Sequence, residues 1–261
     1  MPEAAGLYFE QHGKSDAPPL ILSSGLGGSA QYWQPNIAAL AAHFHVIAYD
    51  HRGTGRSDRA LPDVVKVDNF ANDIRALMDA LDIPKAHLVG HAAGGVAGLV
   101  LALKAPERLA KLIIVNGWAK ADPHFLRCFE ARLNLLRHAG VEAFLRAQPI
   151  FLYPANWISE HSAALDAELA HQLTDFPGIA TMEKRIAALA AFDISDRLGT
   201  FKTPMLALAA ADDMLVPASC SHTLANHIPA CEFALMEWGG HACNVTDPAT
   251  FNRLVLEFLR S

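Results

Sequence analysis

Three separated parts of this sequence carry residue types that could act together in acid–base chemistry. Asp213 and His241 are a carboxylate and an imidazole, a combination in which the acid orients the ring and the ring takes up a proton near neutral pH. Upstream, residues 89–95 have the spacing of a Gly-x-Ser-x-Gly nucleophile elbow, but Ala92 occupies the serine position. The elbow spacing predicts an active-site turn that lacks the usual attacking hydroxyl.

The elements around these residues are short apolar runs, each ending in glycine or a polar residue, that alternate with longer helical patterns. This alternation predicts an α/β fold with a mostly parallel central sheet flanked by helices. Asp122-Pro123 and Asp247-Pro248 predict helix starts, and Gly140 predicts the end of the first of these helices. The predicted strands are 19–24, 45–50, 87–91, 111–116, 205–210 and 232–237.

One long segment interrupts the alternation. Residues 119–196 contain roughly four helix-like stretches without a convincing strand between them. We interpret this segment as a helical lid inserted after the sixth strand of the fold, between the predicted strands 111–116 and 205–210. It should lie above the carboxyl ends of the strands, with residues 1–118 and 197–261 forming the core. The alternative is a separate helical domain, although both flanking segments belong to the same strand series.

The composition limits the kinds of molecule that this protein is expected to bind. The net charge of −6, from 21 basic and 27 acidic residues among 261, disfavours nucleic acid or an anionic membrane and favours a small-molecule substrate. The four cysteines lack metal-site or disulfide-framework spacing, and residues 1–4 lack the features of a signal peptide, so we expect a reducing cytoplasm. No apolar run approaches the ~20 residues that cross a bilayer. Oligomeric state, including a homodimer, is left open.

Four loops together carry a resemblance over nearly the whole chain. Residues 24–28 resemble an oxyanion-hole loop, with serine where many relatives have histidine, and residues 50–58 resemble the loop after the next strand. Residues 212–217 resemble an acid loop with Asp213 four residues before the proline, and residues 239–241 resemble the loop of a catalytic histidine. In this order the loops are similar to those of the α/β-hydrolase superfamily.

The site residues can then be given roles. His241 is expected to be the general base and Asp213 to hold its second ring nitrogen, with Asp212 as the weaker acid candidate. The backbone amides of Leu26 and Ala93 are the candidates to stabilise negative charge on a carbonyl oxygen.

A competing motif starts in the same loop. Residues 25–30 fit Gly-x-Gly-x-x-Ala, and Asp50 ends the next strand about twenty residues later, as in a dinucleotide-binding unit. Against this reading, Trp33-Gln34-Pro35 suggests that the helix starts at Pro35, well past the glycines. The elbow, acid loop and histidine loop would also have no function in an NAD-dependent oxidoreductase.

Several groups could replace the missing serine. Ser23, Ser24, Ser29 and Cys243 lie near the predicted site, but none occupies the strained turn that exposes a nucleophile, and His91 is expected to pack beside that turn. We expect neither a metal nor a cofactor, because no ligand motif occurs. Water activated by His241 is the favoured nucleophile. Triad enzymes that lose a catalytic member keep only about 10³–10⁴-fold acceleration, which suits a labile substrate.

A closer resemblance lies within the superfamily. Residues 23–29, 90–92, 116–118, 151–155 and 239–248 resemble the branch that serves the Rut pathway of pyrimidine (uracil) degradation. This resemblance implies that Ala92 is native and that the substrate is carbamate or aminoacrylate, both of which hydrolyse spontaneously. We favour carbamate. A non-catalytic, ligand-binding function stays the alternative from another class.

Candidate pocket residues come from the segments around the insertion. Asn116 and Trp118 end the strand that leads into it, and Tyr153 and Trp157 lie within it. Packing in the core or the lid is an equal alternative for these four residues. Arg127 and Arg132 are expected to be solvated residues on a helix face, so the sequence assigns no cation to an anionic substrate.

Overall fold

The computed structural model describes residues 3–261 and contains a central sheet of eight strands in the order β1-β2-β4-β3-β5-β6-β7-β8. Met1 and Pro2 lie outside the described residues. They belong to residues 1–4, for which the sequence predicts no signal peptide. In this sheet order, each strand from β4 through β3 and β5 to β8 pairs in parallel with its neighbour. Strand β2 pairs antiparallel with β4. The strands are β1 (Glu3–Ala4), β2 (Leu7–His12), β3 (Pro19–Ser23), β4 (His45–Tyr49), β5 (Ala86–His91), β6 (Leu109–Val115), β7 (Met205–Ala210) and β8 (Cys231–Met236).

Helices cover the sheet and form the insertion. They are α1 (Gln34–Ala41), α2 (Val67–Ala80), α3 (Ala93–Lys104), α4 (Pro123–Asn134), α5 (Val141–Leu152), α6 (Ala155–Glu160), α7 (Ser162–Asp175), α8 (Ile179–Ala190), α9 (Ala218–His227), α10 (Cys243–Thr246) and α11 (Pro248–Arg260). The predicted α/β class is confirmed, and the six predicted strands occur with ends within two residues of those expected. The sequence analysis did not predict the amino-terminal strands β1 and β2. The second half of β2 is glutamate, glutamine and histidine, so its sequence does not form an apolar run.

The predicted helix starts are also confirmed. The Asp122 carboxylate accepts a hydrogen bond from the amide of His124 (2.7 Å), and Asp247 caps α11 by accepting from Thr250 (3.1 Å). Gly140, with φ +92°, follows a stretch of π-helix at residues 135–139 that extends α4. Such helix starts can be predicted from sequence because a cap involves only the capping residue and the residues next to it.

The sheet order brings two loops together. The chain runs from β3 to β4 on one side and from β5 to β6 on the other, so β3 and β5 flank the point where the strand order reverses. The Gly94 amide donates to the Ser24 carbonyl (3.0 Å), which joins the start of α3 to the loop after β3. Gly94 packs so closely here that a Cβ would collide with Ser23. The oxyanion-loop candidate and the elbow are therefore adjacent.

The insertion consists of α4 to α8, five helices rather than the roughly four that the pattern suggested, between β6 and β7 in the chain. Its two ends meet: Lys120 and Asp193 form an isolated antiparallel bridge, and the Ile194 amide donates to the Ala119 carbonyl (2.9 Å). That this segment acts as a lid stays a prediction. None of the helices in residues 3–261 is both long and apolar enough to span a membrane.

Candidate active site

The elbow keeps its strained geometry although it carries alanine. Ala92 has φ +45° and ψ −104°, an unfavourable region for a residue with a Cβ, and it is almost completely buried. Its amide donates to the Val115 carbonyl (2.8 Å), which ties the turn to β6. A Cβ on Gly90 would collide with the backbone of Gly94, so the turn requires glycine there. Packing of the strand and helix around the turn therefore holds the elbow in shape without a nucleophile.

Asp213 and His241 are brought together as an acid–base pair. The Nδ1–H of His241 donates to Oδ2 of Asp213 at 2.7 Å, and both side chains are buried. The other carboxylate oxygen accepts from the amides of Leu215 (2.7 Å) and Val216 (2.9 Å). Because an ionised carboxylate only accepts, Nδ1 carries the ring proton and Nε2 of neutral His241 has a free lone pair. Among residues 3–261, Nε2 has no hydrogen-bond partner.

Two side chains position the backbone of His241. Its carbonyl accepts from Nε2 of His91 (2.8 Å) and from Nδ2 of Asn116 (2.8 Å). The carboxamide oxygen of Asn116 accepts in turn from the Ala210 amide (3.1 Å). Asn116 was predicted as pocket wall, but its amide group is used to connect β6, β7 and the histidine loop. These hydrogen bonds of Asn116 support the histidine loop, a function that the sequence did not indicate.

Asp212, the weaker acid candidate, contacts the same loop from another side. Its Oδ1 accepts from the amide of Gly240 at 2.8 Å, whereas the ring of His241 bonds Asp213. Gly240 adopts φ +66°, and a Cβ there would approach the Leu152 carbonyl to 2.9 Å. Asp212 therefore holds the loop and does not contact the base.

His91 packs beside the elbow, between two other rings. Its ring centroid lies 4.6 Å from that of His241 and 4.9 Å from that of Tyr32. Burial lowers the pKa of His91 well below its usual value, and proximity to His241 adds to this effect. The ring is neutral, its Nε2–H donates to His241, and a Cβ on Gly25 would lie only 2.8 Å from its Nδ1.

The oxyanion-loop candidate is held from two sides. Its Gly25 carbonyl accepts from the amide of Gly28 (3.1 Å), and the Leu26 carbonyl accepts from Nε (3.2 Å) and Nη2 (3.0 Å) of Arg185. The amides of Leu26 and Ala93 have no acceptor among residues 3–261. Ala93 is the first residue of α3, where an amide has no partner within the helix. Both predicted oxyanion amides are thus left available by the backbone.

Arg185, which the motifs do not identify, is completely buried on α8. Besides Leu26, its guanidinium donates to the Arg52 carbonyl (3.2 Å) and to Nδ1 of His51 (3.0 Å). Since Arg185 can only donate, His51 accepts at Nδ1 and its Nε2–H donates to Ser23 Oγ (3.1 Å). Burial lowers the pKa of Arg185 to about 10, so it is charged at neutral pH. The insertion is hydrogen-bonded through this residue to the oxyanion loop.

The alternative nucleophiles lie off the elbow. Ser23 Oγ is bonded to His51 and, at 2.9 Å, to Tyr49, and Ser29 caps a short 3-10 helix. Burial raises the pKa of the Cys243 thiol, which disfavours the reactive thiolate. Ser24 Oγ is buried without a partner among the described residues. Within residues 3–261 no group of three or more His, Cys, Asp or Glu side chains is arranged to hold a metal ion.

The dinucleotide-binding alternative is not supported. The Asp50 carboxylate, which would have to contact a ribose, accepts from the Ala30 amide (2.8 Å) and from Nε of Arg56 (2.8 Å). Helix α1 begins at Gln34, after a 3-10 turn over residues 30–33, so its first amides lie beyond the glycines. Asp50 is therefore a structural residue of the loop.

The remaining pocket candidates are aromatic residues in or near the insertion. Trp118 is buried against Phe125, with ring centroids 4.6 Å apart. Tyr153 stacks on Trp157 at 4.4 Å, and Trp157 stacks on His161 at 4.0 Å. Tyr153 also lines a cavity of about 320 Å³ between α5 and α7, which includes neither Ala92 nor His241.

One prediction for the arginines of α4 is wrong. Arg127 is exposed as expected, but Arg132 is only 3% exposed. Its side chain packs among phenylalanine rings, because Arg132 lies on the face of α4 that also carries the buried residues Phe125, Cys128 and Phe129.

Comparison with known proteins agrees with this fold. A family model described as alpha/beta hydrolase fold matches residues 18–248. Among solved structures, a hydrolase from Pseudomonas aeruginosa has a TM-score of 0.88 at 26% identity, covering 98% of this chain and 94% of that one. An enol-lactonase from Burkholderia xenovorans has a TM-score of 0.88 at 24% identity, covering 99% and 98%, and shows the shared fold.

Curated relatives are closer in sequence. A Caulobacter protein named "Putative carbamate hydrolase RutD" is 52% identical over 97% of this chain and 96% of its own length. An Agrobacterium fabrum protein of the same name is 47% identical over 97% and 98%. This chain therefore belongs to the α/β-hydrolase family, in which it groups with the RutD hydrolases.

Proposed function

We propose that this chain hydrolyses carbamate, a small labile intermediate of pyrimidine nitrogen degradation, with water as the nucleophile. The observation that carries the proposal is the buried Asp213–His241 pair, 2.7 Å apart, in a fold that retains the strained elbow without its hydroxyl. The names of the curated relatives support carbamate as the substrate. The site residues of the mechanism are His241, Asp213 and the amides of Leu26 and Ala93.

The proposed reaction has two steps. In the first, Nε2 of His241 takes a proton from water while the oxygen of that water bonds to the carbamate carbon, and Asp213 stabilises the imidazolium. The amides of Leu26 and Ala93 stabilise the negative charge that grows on the carbamate oxygen. In the second, the carbon–nitrogen bond breaks and the imidazolium returns its proton to the leaving nitrogen. The products are ammonia and bicarbonate, the hydrated form of carbon dioxide.

The missing serine sets the kind of substrate that such a site can serve. Without a covalent nucleophile, binding and oxyanion stabilisation give about 10³–10⁴-fold acceleration, far less than an amide requires. Carbamate decomposes by itself in water, so a modest acceleration is useful. Alanine in place of serine also leaves room near the elbow for an attacking water.

Two alternatives share the same residues. Aminoacrylate is a small anion that would take up water and release ammonia to give malonic semialdehyde, with the same base. A non-catalytic, ligand-binding function is motivated by Ala92 itself. The buried hydrogen bonds of Asp213 favour the enzyme, because ligand binding alone does not call for an oriented base.

The proposal extends to the insertion as a lid over residues 89–95. Two contacts support this: the Ala242 amide donates to the Leu152 carbonyl (2.9 Å), and Arg185 bonds the Leu26 carbonyl. Both link the insertion directly to loops that carry proposed site residues. Opening the insertion would therefore break contacts to the oxyanion loop as well as admit substrate.

The test is ammonia release from freshly prepared carbamate and, separately, from aminoacrylate. We expect the protein to exceed buffer with carbamate and His241→Ala to lose about 10²–10⁴-fold of the catalysed rate. His171→Ala, which alters an exposed histidine of α7, is the matched control and should match the unaltered protein. A rate equal to buffer with both compounds would contradict catalysis, and saturable binding without turnover would support the ligand-binding alternative.

A further inference from the structure

The insertion contains two buried arginines whose hydrogen bonds differ. Arg185 donates to two backbone carbonyls and to a histidine ring. Arg132, on α4, has one hydrogen bond among residues 3–261, a 3.3 Å contact from Nη2 to Oε1 of Gln148. Its Nε is buried without a partner. Arg132 therefore has donors that the protein does not use.

The surroundings of Arg132 do not neutralise its charge. The rings of Phe129, Phe144 and Phe151 have centroids 5.0, 5.1 and 5.5 Å from its Cζ. Ring faces attract a cation but do not replace hydrogen-bond acceptors. Burial lowers the pKa of Arg132 to about 10, which leaves it charged at neutral pH. A buried cation without a paired anion is costly, so an anionic ligand would relieve a penalty that already exists.

Two short contacts link the helices around Arg132 to the proposed catalytic loops. Cys128, one helical turn before Arg132 on the same face of α4, has its Sγ 3.7 Å from the carbonyl of Met214, which follows Asp213. On the other side, Phe151 precedes Leu152, whose carbonyl accepts from the Ala242 amide next to His241. Arg132 thus lies in the part of the insertion that contacts both the acid loop and the base loop.

We propose that Arg132 is the residue that binds the carboxylate group of the small anionic substrate, with Gln148 holding the guanidinium from the other side. This rests on the proposed function and deepens it. Aminoacrylate has a carboxylate apart from the carbon that water attacks, and carbamate would share its two oxygens between Arg132 and the amides of Leu26 and Ala93. A guanidinium offers paired N–H donors that match a carboxylate, and a dry aromatic surrounding strengthens such a bond. Arg185 is not an alternative receptor, since its donors are already bonded to Leu26, Arg52 and His51.

The test measures the affinity of the whole protein for acetate, a stable small carboxylate. Acetate is titrated into the protein and binding is detected by changes in the protein's NMR spectrum. Acetamide is the neutral control ligand. We compare Arg132→Gln with Arg127→Gln, which removes the same charge from an exposed position on the same helix. We expect Arg132→Gln to weaken acetate binding at least tenfold and Arg127→Gln to change it less than twofold, with acetamide binding unaffected by either.

The outcomes separate this proposal from the proposed function. Equal acetate affinity in Arg132→Gln and Arg127→Gln would overturn the carboxylate site even if carbamate is hydrolysed. Loss of acetate binding only in Arg132→Gln would support it even if no turnover is found. Where turnover is found, KM for carbamate should rise at least tenfold in Arg132→Gln. A circular dichroism spectrum and a melting transition like those of Arg127→Gln show that the variant is folded.

Discussion

The strand-end loops and the insertion treat their buried polar groups differently. In the loops, the Asp213 carboxylate accepts three hydrogen bonds and the His241 carbonyl accepts two. In the insertion, Arg132 has one long hydrogen bond and an unused Nε. The fold itself therefore orients the acid–base pair, whereas the group proposed to recognise an anion depends on a ligand for its partners.

The two buried arginines of the insertion also differ from each other. Arg185 reaches into the core and bonds the oxyanion loop, while Arg132 stays among the phenylalanine rings of α4 and α5. One buried arginine is therefore part of the scaffold, and the other has donors without partners among residues 3–261. The predictions below test this division, starting with the largest expected effect.

Asp213→Asn should lower the rate of ammonia release by about 10²–10⁴-fold. The carboxamide has only one acceptor oxygen, so it cannot accept from His241 and also from Leu215 and Val216. The matched control is Asp212→Asn, which keeps an oxygen for the Gly240 amide and should lose little activity. Initial rates at saturating carbamate measure both, and equal losses would contradict the assignment of Asp213 as the acid.

Arg185→Met should lower the free energy of unfolding by about 2–4 kcal/mol, because the Leu26 and Arg52 carbonyls and His51 lose their buried donor. Lys184→Met on the same helix, where the lysine only donates to the Pro62 carbonyl near the surface, is the control. Urea unfolding measures the difference. Arg132→Met, which removes an unpaired charge, should change stability less than Arg185→Met; a larger loss would reverse the division between the two arginines.

Ala92→Ser should create ester hydrolysis, with p-nitrophenyl acetate cleaved on the order of 10- to 100-fold faster than by the unaltered protein. The elbow, the oriented base and the two free amides are already present, so one hydroxyl completes a triad. An early burst of nitrophenol would report the acyl-enzyme. The burst should disappear in the double variant Ala92→Ser with His241→Ala, and its absence in the single variant would show that the loops are less well arranged than their hydrogen bonds suggest.

Iodoacetamide at pH 8 should leave carbamate hydrolysis unchanged. Burial raises the pKa of Cys220 and of Cys231 to about 11, so each has about a hundredfold less thiolate at pH 8 than a thiol of ordinary pKa. Since the raised pKa disfavours thiolate, alkylation of these two cysteines should speed up only as pH approaches 11. Cys243 is shifted in the same direction by burial. Inactivation that follows alkylation of Cys243, measured by mass spectrometry, would make that thiol part of the mechanism.

The motifs located the candidate site residues where the signal was local. The elbow could be recognised from the spacing of Gly90, Ala92 and Gly94, and the acid from its distance to Pro217, because each depends on a single turn. The two buried arginines were missed, yet both lie on the apolar face of their helices. Arg185 shares its face with Met182, Ile186 and Leu189, a pattern that indicates a buried cation when the helical period is followed.

From the amino-acid sequence alone, the α/β class, six of the eight strands, two helix caps and the order of the candidate nucleophile position, acid and base could be predicted, with alanine and not serine at residue 92. These features follow from spacings within a few residues, which local sterics and hydrogen bonding decide. Which buried polar groups have hydrogen-bond partners depends instead on the packing of distant segments. The Arg185–Leu26 contact joins residues 159 apart and the Asn116–His241 contact joins residues 125 apart, and such pairs depend on how the insertion and the sheet pack together, which no local spacing encodes.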